Sequence, residues 1–187
     1  MKREKKERII EILSESFRDN KSTNFVIKQD HKREFRLRRL IEYSIFYGEN
    51  FGEVFLTEDN NACYIILDTE RKRTTLKSII WDLKLIFQCI GLKNVRKVLK
   101  RESLIKSNHP KNDFIHLWYI GVHSSDQGKG LGTKQMKKII DQARSQNKSI
   151  YLETSTERNF KFYKNLGFHE EVTIDQLGYS LKMFSLQ

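Results

Sequence analysis

Gln127-Gly128-Lys129-Gly130-Leu131-Gly132 decides the reading of this chain, because it lies between a strand-like run, Ile115–Val122, and an amphipathic helix that begins near Thr133. A strand that feeds a glycine-rich turn into a helix N-terminus is built to hold phosphate. The first turn of a helix leaves backbone N–H groups unpaired and carries the positive end of the macrodipole, and glycines let a ligand approach the backbone closely. Lys129 adds a positive charge beside the turn. The preceding run, Ile-His-Leu-Trp-Tyr-Ile-Gly-Val, is too apolar on both faces for an edge strand and reads as a central one. Beyond the glycines, Met136, Ile139, Ile140 and Ala143 recur at i, i+3, i+4 and i+7, with Lys134, Lys137, Lys138, Asp141 and Arg144 between them, which describes a helix with one buried face.

Spacing narrows the ligand. Counting a dinucleotide fingerprint from Gly128 and Gly130 places the third position at Thr133, with Gly132 one place early, so the Rossmann pattern fails. The string required of a nucleotide-hydrolysing P-loop occurs nowhere in the chain.

What is present is Gln-x-x-Gly-x-Gly, at Gln127, Gly130 and Gly132, followed by Leu152-Glu153-Thr154-Ser155 and by Asn159-Phe160-Lys161-Phe162-Tyr163 leading to Gly167-Phe168. In these ordered blocks, over roughly residues 114–170, the chain resembles the GCN5-related N-acetyltransferase (GNAT) family, and within it the branch containing puromycin N-acetyltransferase. The resemblance implies an α/β fold: a mixed, mainly antiparallel central sheet flanked by helices. It also implies that the strands Ile115–Val122 and Ser149–Thr154 splay at their C-terminal ends to bind acetyl-CoA. By the same resemblance, Gln127, Gly128, Lys129, Gly130, Leu131, Gly132 and Thr133 grip the pyrophosphate. Backbone groups of Ile120 and Val122 bond the pantetheine arm, Asn159 and Phe162 help hold it, and Tyr163 protonates the departing thiolate. The implied reaction is direct transfer to an amine in a ternary complex, with a small-molecule acceptor and no metal.

Direct transfer requires a neutral amine, a stabilised oxyanion and a proton for the leaving thiolate. A phenol is protonated at neutral pH, which suits Tyr163 to the last task. Many family members place a carboxylate near the cofactor strand, but Phe114–Val122 contains none. Glu153, at the end of the next strand, is the first substitute as base, acting directly or through water. His116 alternates with Trp118 and Ile120 along its strand and is more simply a hydrogen-bonded core histidine; Glu53 is a distant third. Two other classes compete with the enzyme: a cofactor-binding module without catalysis, and a basic nucleic-acid-associated protein on the same fold.

Composition bounds the rest. With 187 residues, 38% of them hydrophobic, the chain can bury a core as a single domain spanning 1–187. Cys63 and Cys89 have no metal-type or CxxC spacing, which disfavours a zinc site or disulfide framework and fits a cytoplasmic setting. Met1–Arg8 carries both signs of charge and leads into only a short apolar stretch, which disfavours a signal peptide, and no run of apolar residues reaches membrane-spanning length. The net charge of +11 is spread over several helices rather than clustered with aromatics, which argues against nucleic acid as partner. A monomer or homodimer is expected.

In the N-terminal half, Ile9, Ile12, Leu13 and Phe17 mark a first helix. Phe25-Val26-Ile27 reads as a short strand, and Lys32 to Tyr47 as a second helix ended by Gly48 and Asn50. Glu53–Thr57 and Ala62–Leu67 flank a polar link and form a hairpin. Leu76, Ile79, Ile80, Leu83, Phe87 and Ile90 give a strongly periodic helix closed by Gly91, and Val95, Val98, Leu99 and Ile105 another; both are expected to cover the sheet or wall an acceptor pocket. Phe168–Ile174 and Tyr179–Ser185 make a closing hairpin.

Overall fold

A computed structural model describes all residues, 1–187. Seven α-helices are present: α1 (Arg3–Phe17), α2 (Lys21–Val26), α3 (Arg33–Phe51), α4 (Leu76–Leu85), α5 (Val95–Lys106), α6 (Leu131–Ser145) and α7 (Glu157–Asn165). They surround a six-stranded sheet of β1 (Gly52–Leu56), β2 (Ala62–Asp68), β3 (Phe114–Val122), β4 (Ser149–Thr154), β5 (His169–Ile174) and β6 (Leu181–Leu186), in the order β1-β2-β3-β4-β6-β5. All neighbours are antiparallel except β3 and β4. This is the expected mixed, mainly antiparallel sheet.

The period-two rule explains how β2 serves both faces. Cys63 and Ile65 join Ile9, Ile12 and Leu13 of α1 and Leu37, Ile41 and Ile45 of α3 in one core. Tyr64 and Ile66 point the other way, to Met136, Ile139, Ile140 and Ala143 of α6 and to Ile150, Leu152 and Phe184. Every residue of β2 is buried, as befits a strand covered on both sides. Close approach of α1 to β3 depends on Gly121, where a Cβ would fall 2.8 Å from Leu13 Cδ2.

Several expectations are corrected. Phe25 and Val26 end helix α2 instead of forming a strand, because the Asn20 side chain caps it by accepting from the Thr23 N–H at 2.9 Å. Gly48 and Asn50 do not stop α3. A Cβ at Gly48 would lie 2.6 Å from Val54 Cγ2, so this glycine serves helix-to-strand packing inside the helix, which ends at Phe51. The helix from Leu76 stops being α-helical at Leu85, continues as a π-helical turn over Ile86–Ile90, and closes at Gly91 with φ 75° as expected. Its apolar stripe does not cover the sheet: Leu76, Ile79, Ile80, Leu83 and Phe87 are exposed, Leu76 to 82%. Periodicity identified the helix, but the face that turns inward is the one carrying Ser78 and Asp82. The closing hairpin is as expected, within two residues at its ends. No helix is long and apolar enough to cross a membrane.

Candidate active site

Strands β3 and β4 are paired only over Phe114↔Ser149, Ile115↔Ile150 and His116↔Tyr151, although both continue beyond. Past that point they part, and the opening leads into a cavity of about 1180 Å³. A bulge deepens the distortion: Ile65 of β2 faces Tyr119 and Ile66 faces Leu117, leaving Trp118 as an extra residue on β3. Bulges re-aim side chains and bend strands near binding sites. Here the bulge switches the alternation. Ile115 and Leu117 pack on the α6 side below it, as Ile120 does above it, while Tyr119 packs on the α1 and α3 side. The expectation that His116, Trp118 and Ile120 share one face is therefore wrong, because the inserted residue shifts the register by one.

On one flank of the opening lies the glycine turn. Gly128 and Gly130 both have φ 80°, a left-handed conformation that favours glycine, and the space beside each is open. Gly130 is the N-cap of α6 and no side chain caps the helix, so the first-turn N–H groups of Leu131, Gly132 and Thr133 are left for an anion. The first intrahelical bond to that cap is Lys134 N–H to the Gly130 carbonyl at 3.0 Å. Gly132 sits beside Phe162 and Val122, and the Gln127 side chain donates to the Val122 carbonyl at 3.2 Å, tying the turn to the end of β3. Open backbone, positive helix end and absent cap together fit the pyrophosphate of acetyl-CoA. Ile120, Val122, Gln127, Gly128, Gly130, Leu131, Gly132, Thr133, Asn159 and Phe162 all line the cavity. Lys129 does not: its ammonium pairs with Asp126 at 2.8 Å, outside the lining.

Deeper in the cavity stands Tyr163 on α7. Its ring packs against Phe162, Phe168 and Phe184, and the residue is only 4% exposed. Burial pushes the phenol above its ordinary range, which keeps the hydroxyl protonated.

Opposite, the Glu153 carboxylate accepts from two histidines, His109 Nε2 at 2.8 Å and His116 Nε2 at 2.7 Å. Burial alone would raise its pKa, but the charge of His116 and the hydrogen bonds from both rings outweigh it and hold the carboxyl well below the usual range. An ionised carboxylate only accepts, so each Nε2 carries a proton, and Nδ1 offers a lone pair only when its ring is neutral. The sequence reading found Glu153 and His116 without foreseeing that they touch, and it missed His109, which sits after α5 in a loop that folds back over β3. Its one signal was the pair His109-Pro110 closing a helix, which says nothing of contact. Glu53 is elsewhere: it accepts from the Tyr64 hydroxyl at 2.8 Å and does not line the cavity.

Beyond the histidines the cavity continues between α3, α4 and α5, where Tyr43, Tyr47, Asp82, Arg101 and Trp118 line it. Helices α4 and α5 thus wall a pocket, the second of the two roles expected of them.

Residues 88–168 match the acetyltransferase (GNAT) family. Among solved structures, the chain is similar to histone acetyltransferase HPA2 and related acetyltransferase from Corynebacterium glutamicum, with a TM-score of 0.67 at 19% identity, over 99% of this chain and 92% of that one. It is also similar to an N-acetyltransferase from Staphylococcus aureus, with a TM-score of 0.60 at 15% identity, over 97% and 96% of the two chains. The C-terminal condensation domain of Ebony, solved with beta-alanyl-dopamine, gives a TM-score of 0.71 at 8% identity, over 100% and 95%. The chain as a whole therefore has the fold of solved GNAT acetyltransferases, and the stretch holding the glycine turn, both histidines, Glu153 and Tyr163 falls within the part that matches the family.

Proposed function

We propose that this chain is an acetyl-CoA-dependent N-acetyltransferase that passes the acetyl group directly to the amine of a small molecule. One observation carries the reading: a single cavity joins an uncapped, glycine-opened helix N-terminus to a buried phenol and a carboxylate braced by two imidazoles. Acetyl-CoA supplies the thioester carbonyl. The α6 N-terminus holds its pyrophosphate, and Ile120, Val122, Asn159 and Phe162 guide the pantetheine arm. The amine nitrogen forms the new bond to the carbonyl carbon as the carbon–sulfur bond breaks. Tyr163 gives its proton to the departing sulfur.

For the proton lost by the amine, the base is placed on an imidazole Nδ1 of the histidine pair, with Glu153 as the residue that orients both rings, reversing the order expected from sequence. A carboxylate that accepts two N–H bonds and is held well ionised is a poor proton acceptor but a good anchor, and imidazole exchanges a proton near neutrality. Transfer without an acetyl-enzyme is supported by the cysteines: Cys63 and Cys89 are buried and their thiols are pushed up by burial to about 12, so neither is an activated nucleophile. The resemblance to the puromycin-modifying branch and the pocket between α3, α4 and α5 support a small acceptor over a protein lysine. The test is incubation with acetyl-CoA and a panel of amines, following thiol release and acetylated amine together. Equal amounts of the two products are expected, and acetyl-CoA binding without acetylation of any amine would overturn the proposal.

A further inference from the structure

Helix α4 is turned against its own amphipathicity. Its apolar stripe faces solvent, while Ser78 and Asp82, one turn apart, face the cavity. Asp82 Oδ1 accepts from the hydroxyls of Tyr43 at 2.8 Å and Tyr47 at 2.7 Å. Burial pushes both phenols up, Tyr47 to about 12, so both stay protonated and donate. Asp82 has no ion-pair partner, and its second oxygen is free of protein hydrogen bonds. Around it stand three aromatic rings in mutual contact: Tyr43 and Tyr47 at 4.7 Å, and Trp118 edge-on to them at 6.0 and 6.2 Å. A carboxylate with one open oxygen and no ion pair, bordered by aromatic rings, is the chemistry that recognises an organic cation, by charge and by cation–π attraction. The bulge in β3 is what aims Trp118 there, and the Trp118 ring lies 6.5 Å from that of His116.

We propose that Asp82, Tyr43, Tyr47 and Trp118 form a cation subsite, and that the acceptor is an α,ω-diamine or polyamine held by one ammonium there while its other amine reaches the histidine pair. This rests on the acetyl-transfer reading for the second amine, but not for the first. Two ring-to-ring steps separate the subsite from His116; at about 1.5 Å per bond, a chain of roughly five to eight bonds spans them. Lys72, Arg73, Lys106 and Arg158 line the same cavity without ion pairs, Lys72 near enough to Asp82 to feel its charge, and would instead favour an acceptor with a carboxylate, so the two signs of charge can be set against each other.

The experiment compares three six-carbon acceptors: hexamethylenediamine, hexylamine and ε-aminocaproate. Thiol release is measured with acetyl-CoA, alongside calorimetric titration of hexamethylenediamine into the protein alone. The expected result is kcat/KM for the diamine at least about tenfold above that for hexylamine, with ε-aminocaproate last, and a ratio that falls toward one in Asp82→Asn, which keeps the shape and still accepts from the tyrosines. Equal rates for diamine and monoamine, or preference for the carboxylate, would overturn the subsite and leave acetyl transfer standing. Calorimetric binding that Asp82→Asn abolishes, with no turnover of any acceptor, would keep the subsite and sink acetyl transfer. Neither turnover nor binding in the wild type would overturn the subsite outright, whatever the variant's folding.

Discussion

Replacing Tyr163 by Phe separates chemistry from scaffolding more cleanly than any other single change in this protein. The ring contributes to the core through Phe162, Phe168 and Phe184, at centroid distances of 5.2, 5.6 and 5.8 Å, and phenylalanine retains all three contacts. The hydroxyl makes no hydrogen bond within the protein, so its removal orphans no partner. Stability should therefore change by no more than about 0.5 kcal/mol, and acetyl-CoA affinity should hold. If the hydroxyl protonates the leaving sulfur, kcat should fall by roughly one hundred to ten thousand fold, a barrier increase of about 3 to 5.5 kcal/mol. Thiol release under saturating substrates reads the rate, thermal melting reads the fold, and calorimetry with acetyl-CoA reads binding. Turnover within a few fold of wild type, with melting and affinity unchanged, would refute the general-acid role and leave unassisted thiolate departure as the account.

Four other substitutions have outcomes set by the same structure. Gly130→Glu should abolish acetyl-CoA binding in calorimetry, because a carboxylate would stand in open space beside the unpaired N–H groups and the residue would be strained at φ 80°. Glu153→Gln should lower kcat/KM by about one hundred to ten thousand fold and change the acidic limb of the pH–rate profile, since the rings lose their anchor. The carboxyl is held below its unfolded pKa, so its stabilisation is present above about pH 4.3 and is lost as pH falls through the folded value. Melting of the variant should accordingly decline less steeply with acid than wild type. Ile139→Ala, at a fully buried position of α6, should cost about 2 to 5 kcal/mol in denaturant unfolding, whereas Leu83→Ser on the exposed stripe of α4 should stay within about 0.5 kcal/mol.

What the chain discloses locally and what it does not divide along sequence distance. The glycine turn, the strand before it and the helix after it form one contiguous stretch, and their physics is carried by neighbouring residues, so the open turn and the uncapped helix end were legible. The hairpin Gly52–Leu56 with Ala62–Asp68 was legible for the same reason. The histidine pair on Glu153 was not, because His109 and His116 meet it across 44 and 37 residues: the α5–β3 loop returns His109, and the pairing of β3 with β4 brings His116. Helix α4 shows a different limit: a 3.6-residue period reveals that a helix has an apolar side, but not which side it turns inward. The aromatic carboxylate pocket needed four residues from three elements, one of them displaced by a bulge that no sequence pattern marks.

Direct transfer from acetyl-CoA to a bound amine is tested most closely by a single-turnover experiment, in which the protein is loaded with one equivalent of acetyl-CoA, mixed rapidly with an amine that supports turnover, and quenched at intervals to quantify thiol, acetylated amine and acetylated protein. Thiol and acetylated amine should rise together in one phase, with none of either formed when the amine is withheld and no acetyl group left on the chain. A burst of thiol without amine, matched by acetylated protein, would contradict direct attack and require a nucleophile in the cavity.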